Sequence, residues 1–366
     1  MTGQAISTEI SMNFGHATCV MHIGPGLLQQ FNFTEVGASC FVLITDETVH
    51  ELYGRALLQR LKDAGVPTHY LFIPDGEQSK TWDQAGGIHQ QLASLEIDRK
   101  GVLIALGGGV IGDLVGFVAA NYNRGIRYIQ VPTTLTAQVD SSIGGKTAVN
   151  LPTAKNKVGA FWQPVAIVAD TETLKTLPER EVRSGLAEVI KSAVIGDADL
   201  FQYLWTNIFM DAHRTGEFYR EVVARTATIK ARIVEADERE HNRRKILNFG
   251  HTIGHAVEIV TEHAVTHGEA VAIGMAYEGS LALGTGLSED EWREMLRLLQ
   301  AVNLPTGLHC DPVQLIEVMR QDKKVVDGQI CFALPRKIGE AADFEGRYAI
   351  PIPVDEVRGC LYLHLD

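Results

Sequence analysis

Short apolar segments alternate with amphipathic segments through the first 170 residues, and this alternation limits the fold more than any other feature of the chain. Each apolar segment has the length of one strand, and several end in a polar residue, as strands buried in a parallel sheet do. Strands separated by helical patterns of about 10–15 residues predict βαβ units. The predicted strands are Cys40–Asp46, Thr68–Pro74, Val102–Leu106, Arg127–Val131 and Ala166–Ala169, and the predicted helices include His50–Ala64 and Trp82–Leu95.

Beyond Pro178 the pattern becomes helical, and short β-like pieces reappear only near Ile330–Leu334 and the C-terminus. The predicted helices are Glu179–Ile195, Gly216–Asp237, Thr252–Thr261, Glu269–Leu283 and Glu289–Val302. We therefore predict a Rossmann-like, nucleotide-binding α/β domain over residues 1–176 and a mainly α-helical domain over residues 177–366. The active site is expected in the cleft between the two domains.

Composition narrows the class of protein further. The chain has 45% hydrophobic and 21% charged residues, as ordinary globular proteins do. Its net charge of -12 argues against non-specific binding of nucleic acid, although a site for phosphate can still be locally basic. The five cysteines are widely spaced, which predicts free thiols in a reducing compartment. With no signal-like N-terminus and no apolar run of about 18 residues, we expect a cytoplasmic protein without a membrane segment.

A glycine cluster follows the third predicted strand and opens a predicted helix. Gly107, Gly109 and Gly112 have the G-x-G-x-x-G spacing that lets a backbone approach a pyrophosphate at a helix N-terminus. A tight strand-to-helix turn without a ligand is the alternative interpretation. The acidic residue expected about 20 positions later is missing, and Asp46 is a possible substitute. Polar residues after neighbouring strands, such as those of Thr133–Thr134, make a nucleotide more credible than the glycines alone.

A basic and hydroxyl-rich segment runs from Val139 to Lys157. Lys146, Lys155 and Asn156 are expected to lie in a loop that suits an anion such as phosphate or carboxylate. An ordinary solvated surface loop is the alternative.

Three histidines fall close together near Leu247–His255 and at His267. His251 and His255 are four residues apart and would share one face of a helix, which favours them as a pair of metal ligands. Glu188, with Lys191 three residues later, lies in an apolar helical stretch and could add a carboxylate, although a surface ion pair is the alternative. A carboxylate with two imidazoles leaves an open position on zinc. The spacing alone leaves open which two histidines bind.

Eight sequence blocks resemble the 3-dehydroquinate synthase family of the sugar-phosphate cyclase superfamily. They are GGGVIGDLVGF, RGIRYIQVPTTL, QVDSSIGGKTAVN, KNKVGAFWQP, TLPEREVRSGLAEVIK, LNFGHTIGHA, HGEAVAIGM and DKKV. The resemblance implies an N-terminal nucleotide-binding α/β domain and a C-terminal helical domain. It also implies a homodimer that acts on a small sugar-acid phosphate.

The resemblance assigns residues to each part of the implied site. The metal, zinc or cobalt, would be held by Glu188, His251 and His267, and His255 would then face the substrate. Substrate and phosphate contacts would come from Arg124, Asp140, Lys146, Asn156, Lys191, Lys230, Arg244, Asn248, His255 and one lysine of the pair Lys323 and Lys324, of which we choose Lys324. NAD contacts would come from Asp46, Glu77, Lys80, Gly108, Gly109, Val110, Asp113, Thr133, Thr134, Lys146, Lys155, Thr173 and Thr176.

The implied activity is that of a lyase in the second step of the shikimate pathway. It would convert 3-deoxy-D-arabino-heptulosonate 7-phosphate into 3-dehydroquinate and phosphate. The steps would be transient oxidation by NAD, elimination of phosphate, re-reduction, ring opening and an intramolecular aldol closure. Because NAD ends as it began, the reaction has no net redox change.

Two other enzyme classes stay open. Relatives in the superfamily, of the 2-deoxy-scyllo-inosose and 2-epi-5-epi-valiolone synthase types, cyclise glucose 6-phosphate or sedoheptulose 7-phosphate, neither of which carries a carboxylate. Lys230, Arg244 and Asn248 keep the dehydroquinate synthase pattern, whereas Ala154 and the segment His263–Thr266 depart from it. An iron-type polyol dehydrogenase would resemble this layout but usually has a metal shell of histidines and an aspartate. A non-catalytic sugar-phosphate sensor is disfavoured, because every expected polar position is filled.

Overall fold

The computed structural model describes residues 7–208, 215–320, 325–326 and 329–363. Its contacts divide the chain into two compact units, one ending at Leu177 and the other beginning at Pro178. The domain boundary predicted between residues 176 and 177 falls one residue before this division.

Unit 1 is built on a seven-stranded sheet with the order β1-β2-β9-β6-β5-β3-β4. Strand β1 is antiparallel to β2, and the other neighbours are parallel. All residues of β3, β5 and β9 are buried, which explains their continuous apolar sequences. The strands of this unit are β1 (Thr8–Asn13), β2 (Thr18–Gly24), β3 (Phe41–Thr45), β4 (Thr68–Phe72), β5 (Val102–Gly107), β6 (Arg127–Pro132), β7 (Lys146–Leu151), β8 (Ala154–Phe161) and β9 (Ala166–Asp170).

The helices of unit 1 connect these strands as the sequence predicts. Their starts have local causes: Asp46 accepts a hydrogen bond from the Val49 N–H, and Thr81 accepts one from the Gln84 N–H. A π-helical turn at His50–Gly54 joins the second and third helices, so the predicted helix at His50–Ala64 begins earlier, at Glu47. The helices are α1 (Leu27–Gln30), α2 (Glu47–Val49), α3 (Arg55–Asp63), α4 (Trp82–Ser94) and α5 (Gly109–Asn121).

Two hairpins in unit 1 were not predicted. β1 and β2 form the first, and β2 continues the main sheet by pairing with β9. The second, β7–β8, occupies the segment predicted as an anion-binding loop. The prediction of a loop is wrong, because Lys146 and Lys155 lie on the strands of this hairpin, whereas the binding of an anion there stays a prediction. Thr147 and Val149 are two residues apart and therefore share one face of β7; both are buried, and β7 packs against α5.

Unit 2 is mainly helical, and its described residues also form two small sheets, β10-β11-β14 and β12-β13. The helices are α6 (Glu179–Gly196), α7 (Ala198–Ile208), α8 (Gly216–Ala236), α9 (His251–Val260), α10 (His267–Ala282), α11 (Glu289–Ala301), α12 (Pro312–Arg320) and α13 (Val354–Leu361). The strands are β10 (Val325–Val326), β11 (Gln329–Phe332), β12 (Pro335–Lys337), β13 (Glu340–Ala341) and β14 (Ile350–Ile352). Within the described ranges, none of the helices combines the length and apolar composition that a membrane-spanning segment requires.

Glycines allow three helices of unit 2 to approach one another. A Cβ atom on Gly268 would lie 2.1 Å from the Ser184 carbonyl oxygen, so α10 can start against α6 only without a side chain there. A Cβ atom on Gly274 would lie 1.8 Å from the Gly250 carbonyl oxygen, where α10 passes the start of α9. These contacts bring the beginnings of α9 and α10 beside the middle of α6.

Candidate metal and nucleotide sites

A buried carboxylate is the centre of the candidate metal site in unit 2. Glu188 is 0% exposed and lies on α6, four residues after Ser184, whose hydroxyl accepts a hydrogen bond from the Gly268 N–H. Since residues four apart share a helix face, this contact places Glu188 opposite the start of α10. His267 is the first residue of α10, and its Nε2 lies 3.2 Å from Glu188 Oε1.

The second imidazole comes from the start of α9. His251 Nε2 lies 3.5 Å from the same oxygen of Glu188. In both rings the other nitrogen faces an oxygen: His251 Nδ1 lies 3.1 Å from the Phe249 carbonyl, and His267 Nδ1 lies 3.5 Å from Glu258 Oε2. An oxygen beside Nδ1 favours a hydrogen on that nitrogen, so that Nε2 would be the atom that binds a metal, which is the arrangement common in metal-binding histidines.

Opposite charges collect around Glu188. Burial would raise the pKa of this carboxyl, but the ammonium of Lys191, 2.5 Å from Oε2, and the two imidazoles lower the pKa well below its usual value. Burial would likewise lower the pKa of His267, but the carboxylates of Glu188 and Glu258 beside its ring raise that pKa to about 10. The carboxylate of Glu188 therefore favours a cation at the point where the two Nε2 atoms approach it.

The geometry fits a metal ion. Ligand atoms of Glu188, His251 and His267 lie within 4.8 Å of one another. Among the described residues, neither oxygen of Glu188 has a hydrogen bond of good geometry, although cations lie close. A buried carboxylate without such hydrogen bonds suits the role of a metal ligand. A second group, His255, Glu258 and His267, meets the same distance limit but contains no fully buried carboxylate. The pair favoured by helical spacing, His251 with His255, is not the pair that shares Glu188.

The predicted substrate residues in the described part of unit 2 come from helices α6 and α8, from the 3₁₀ segment before α9, and from α9 itself. Lys191, Lys230 and Arg244 are buried cations, 1%, 7% and 2% exposed. Arg244 and Asn248 lie on the short 3₁₀ segment Arg243–Asn248, directly before α9. Lys191 lies beside the candidate metal site, and buried cations can bind an anionic substrate strongly because little water screens them.

Three acidic residues that the sequence analysis missed organise this region. Asp237 accepts hydrogen bonds from the backbone N–H groups of residues 241, 242 and 244, which fix the turn that carries Arg244. Glu240 accepts a 2.7 Å hydrogen bond from the side-chain amide of Asn248. Glu258 lies seven residues after His251, so helical spacing could have pointed to its place beside the histidines.

In unit 1, the glycine cluster forms the predicted strand-to-helix turn. β5 ends at Gly107, and α5 begins at Gly109. A Cβ atom on Gly112 would lie 2.4 Å from Gln130 Oε1 on β6, so this glycine allows the helix to pack on the sheet. Gly108, Gly109 and Val110 are half-buried and present the helix N-terminus at the carboxyl edge of the sheet.

A hydrogen-bonded network lies beside this turn. The ammonium of Lys80 is buried and lies 2.5 Å from Asp113 Oδ2 and 2.6 Å from Asn156 Oδ1. Asn150 extends the network, since it accepts from the Asn156 N–H and donates to Glu77 Oε1. The structure thus brings together Glu77, Lys80 and Asp113, which were predicted as NAD contacts, and Asn156, which was predicted as a substrate contact.

The remaining predicted residues are partly gathered at the same sheet edge. Asp46 follows β3 and caps α2, and Thr133 and Thr134 follow β6. The Tyr53 hydroxyl contacts both the Thr173 carbonyl oxygen and the Thr176 hydroxyl. The half-buried Asp140 and the exposed residues Lys146 and Lys155 lie on a π-helical turn and on the β7–β8 hairpin, respectively.

Two predicted residues stand apart. Arg124 is exposed and precedes β6, at the amino edge of the sheet, so the length of that strand, roughly 20 Å, separates it from Thr133. Lys324 lies outside the described residues.

Two family profiles match consecutive parts of the chain. The profile described as "3-dehydroquinate synthase N-terminal" matches residues 70–184, and "3-dehydroquinate synthase C-terminal" matches residues 185–325. A 3-dehydroquinate synthase from Pelotomaculum thermopropionicum is 45% identical over 339 residues, which are 91% of this chain and 91% of that protein.

Solved structures agree with the fold. A 2-epi-5-epi-valiolone synthase from Streptomyces hygroscopicus, solved with NAD+ and Zn2+, is 28% identical, with a TM-score of 0.84 and coverage of 99% of this chain and 98% of that one. A 2-deoxy-scyllo-inosose synthase, solved with carbaglucose-6-phosphate, NAD+ and Co2+, is 24% identical, with a TM-score of 0.89 and coverage of 98% and 100%, and this likeness concerns the fold alone. The fold is therefore that of the sugar-phosphate cyclases. The chain belongs to the 3-dehydroquinate synthase family, and it is an enzyme of that cyclase family.

Proposed function

We propose that this enzyme is an NAD- and metal-dependent lyase that converts 3-deoxy-D-arabino-heptulosonate 7-phosphate into 3-dehydroquinate and phosphate. The observation that carries the proposal is the convergence of His251 and His267 on one buried oxygen of Glu188, beside the buried cation Lys191. Family membership supports the same activity.

The two cofactors divide the chemistry. When bound, a zinc or cobalt ion at Glu188, His251 and His267 would polarise a substrate hydroxyl, and NAD would accept a hydride and return it. The glycine turn at Gly108–Val110 would bind the pyrophosphate through backbone N–H groups. Lys80 and Asp113 would hold the nucleotide, because their buried ion pair already fixes polar groups beside that turn.

The buried cations would hold the anionic substrate. Lys230 and Arg244 supply positive charge for the carboxylate, and Asn248 adds an amide that Glu240 already orients. Lys191 partly neutralises Glu188 and can donate a hydrogen bond to a substrate oxygen. The exposed lysines Lys146 and Lys155 suit the phosphate, whose own oxygen can take the proton that leaves the carbon next to the ketone.

His255 would handle a proton rather than a metal. It lies one helical turn after His251, with ring centroids 5.3 Å apart, but does not share Glu188. A half-exposed imidazole at this place can hold or move a proton on a substrate hydroxyl during ring opening and closure.

Cyclisation of sedoheptulose 7-phosphate is the second candidate activity. It is favoured by the likeness to the 2-epi-5-epi-valiolone synthase and by the departure from the family pattern at His263–Thr266. The buried cations Lys230 and Arg244 favour the first candidate, because two buried positive charges suit a substrate that carries a carboxylate in addition to its phosphate.

One incubation separates the candidates. Purified enzyme, NAD and a divalent metal are mixed with the heptulosonate phosphate, sedoheptulose 7-phosphate or glucose 6-phosphate, while phosphate release and NADH absorbance are followed. We expect phosphate release from the heptulosonate phosphate and no accumulation of NADH. Turnover of sedoheptulose 7-phosphate alone would refute the proposal, and steady accumulation of NADH would indicate a dehydrogenase.

The proposal includes a homodimer in the cytoplasm. Sedimentation of the purified enzyme tests the dimer, and fractionation of cells tests the location.

A further inference from the structure

The further inference concerns Glu278, a fully buried carboxylate on α10 that the proposed reaction does not use. Its Oε2 accepts a 2.7 Å hydrogen bond from the Gly250 N–H. Its Oε1 accepts two 2.9 Å hydrogen bonds, from the N–H groups of Thr252 and Ile253. These three backbone groups flank His251 on both sides.

Helix α9 depends on this carboxylate for its start. The first N–H groups of a helix have no partner within the helix, and a polar side chain at the N-cap normally supplies one. The N-cap of α9 is Gly250, which has no side chain and a left-handed φ of 77°. Glu278 replaces the missing cap from another helix, and its negative charge also suits a helix N-terminus.

The backbone of α10 holds the same turn from a second direction. Gly274 lies one helical turn before Glu278, and a Cβ atom there would lie 1.8 Å from the Gly250 carbonyl oxygen. A Cβ atom on Gly250 would lie 2.7 Å from Met275 Cγ. The turn is therefore packed against α10 on one side and hydrogen-bonded to Glu278 at its N–H groups.

The position of the His251 ring follows from this turn. His251 is the first residue of α9, its Nδ1 faces the Phe249 carbonyl at 3.1 Å, and its Nε2 faces Glu188. The Phe249 carbonyl and the Cα atom of His251 determine where the ring lies, and both belong to the turn that Glu278 holds. We infer that Glu278 is a positioning residue that fixes His251 for metal binding, an inference that rests on the metal site proposed above.

Substitutions at Glu278 and at the preceding residue, Tyr277, separate an effect on the position of His251 from an effect on the stability of the protein. Glutamine has one oxygen, so in Glu278→Gln the NH₂ group would face a backbone N–H where the carboxylate now accepts a hydrogen bond. Tyr277→Phe is the matched control, because the Tyr277 hydroxyl donates to the Leu363 carbonyl oxygen and accepts from the Leu308 N–H. The control loses buried hydrogen bonds on the same helix but keeps the turn before His251.

The experiment measures metal binding and stability in parallel. Wild type, Glu278→Gln, Glu278→Asp and Tyr277→Phe are stripped of metal, and zinc affinity is measured by competition with a chromophoric chelator. Visible spectra of the cobalt-loaded proteins report ligand geometry, and urea unfolding of the metal-free proteins reports stability. We expect Glu278→Gln to weaken zinc binding about 10- to 100-fold and to change the cobalt spectrum. Tyr277→Phe should lower the unfolding midpoint and leave both metal readouts unchanged.

Each other outcome is decisive. If Glu278→Gln has the zinc affinity and the cobalt spectrum of the wild type, the inference is wrong. It is also wrong if Tyr277→Phe loses zinc affinity in proportion to its loss of stability. If Glu278→Gln does not fold, Glu278→Asp, which keeps the charge but is one methylene shorter, is judged by the same criteria. A wild-type protein that binds no zinc or cobalt refutes the proposed metal site itself, and the inference with it.

Discussion

At the scale of single residues, three neighbouring imidazoles differ in what they face. His251 and His267 both direct Nε2 toward Glu188 Oε1, at 3.5 and 3.2 Å. His255 lies one turn along α9, and its ring centroid is 6.2 Å from that of His267. Three histidines that lie close together therefore need not have the same role.

The first prediction concerns these histidines. His251→Ala should lose stoichiometric zinc, because only His267 would then join Glu188. His255→Ala should keep its zinc and lose about 10²–10⁴-fold in turnover, as expected when a group that transfers protons is removed. Elemental analysis of the purified proteins and phosphate-release assays measure the two effects.

The matched control for both variants is His241→Ala, an exposed histidine on the turn before α9. It should change neither zinc content nor turnover. Loss of zinc in His255→Ala, with zinc retained in His251→Ala, would contradict the assignment and favour the group of His255, Glu258 and His267.

At the scale of elements, the candidate metal site depends on how closely α6, α9 and α10 approach. Every residue of helix α10 from Ala270 to Gly279 is buried, as in a helix that is surrounded by others. Glycines occur where its backbone meets another backbone, and two of these contacts lie next to proposed metal ligands: Gly268 follows His267, and Gly274 touches the turn before His251.

The second prediction tests this packing. Gly274→Ala would place a methyl group 1.8 Å from the Gly250 carbonyl oxygen, so α9 and α10 must separate. We expect a loss of at least about 1–3 kcal/mol in the free energy of unfolding, together with weaker zinc binding. Urea unfolding and zinc titration measure both.

Gly359→Ala is the control, since a Cβ atom at this position on α13 would meet nothing within 4 Å. Alanine there should leave stability unchanged or raise it by about 0.5–1 kcal/mol, because it favours the helix. Equal stability of Gly274→Ala and Gly359→Ala would show that the helices do not need this close contact.

At the scale of the whole molecule, proton binding and metal binding are linked to stability. The pKa of His267 is raised to about 10, so the metal-free protein holds a proton there at neutral pH. A group whose pKa rises on folding stabilises the folded state fully below its unfolded value of about 6.5. That contribution is lost as the pH rises from there through about 10.

The third prediction follows from this linkage. Zinc must displace the proton on His267, so binding at pH 7 should release protons, and the apparent affinity should increase by up to about tenfold per pH unit. The rise in melting temperature on adding zinc should therefore be larger at pH 9 than at pH 6. Calorimetry in buffers of different ionisation enthalpy measures the released protons, and heats that are the same in all buffers would disprove the linkage.

Much of the secondary structure was predictable, because its causes are local. β5 was predicted as Val102–Leu106 and ends one residue later, and α5 begins within the glycine cluster as expected, since an apolar run followed by glycines marks the end of the strand and the start of the helix. The β7–β8 hairpin was missed because its lysines and small residues resemble a loop. Its strand character comes from Thr147 and Val149, which are buried against a helix that the local sequence does not reveal.

The candidate site shows the same division. The sequence by itself determined which residues could bind a metal, and its helical spacing favoured His251 with His255, because spacing reports only neighbours on one helix. Family resemblance kept Glu188 and His251 and pointed to His267 in place of His255. Only the tertiary structure decided how these residues meet, because the contacts that place them, at Gly268, Gly274 and Glu278, join helices far apart in the chain. The sequence around a residue does not reveal which distant part of the backbone its side chain will contact.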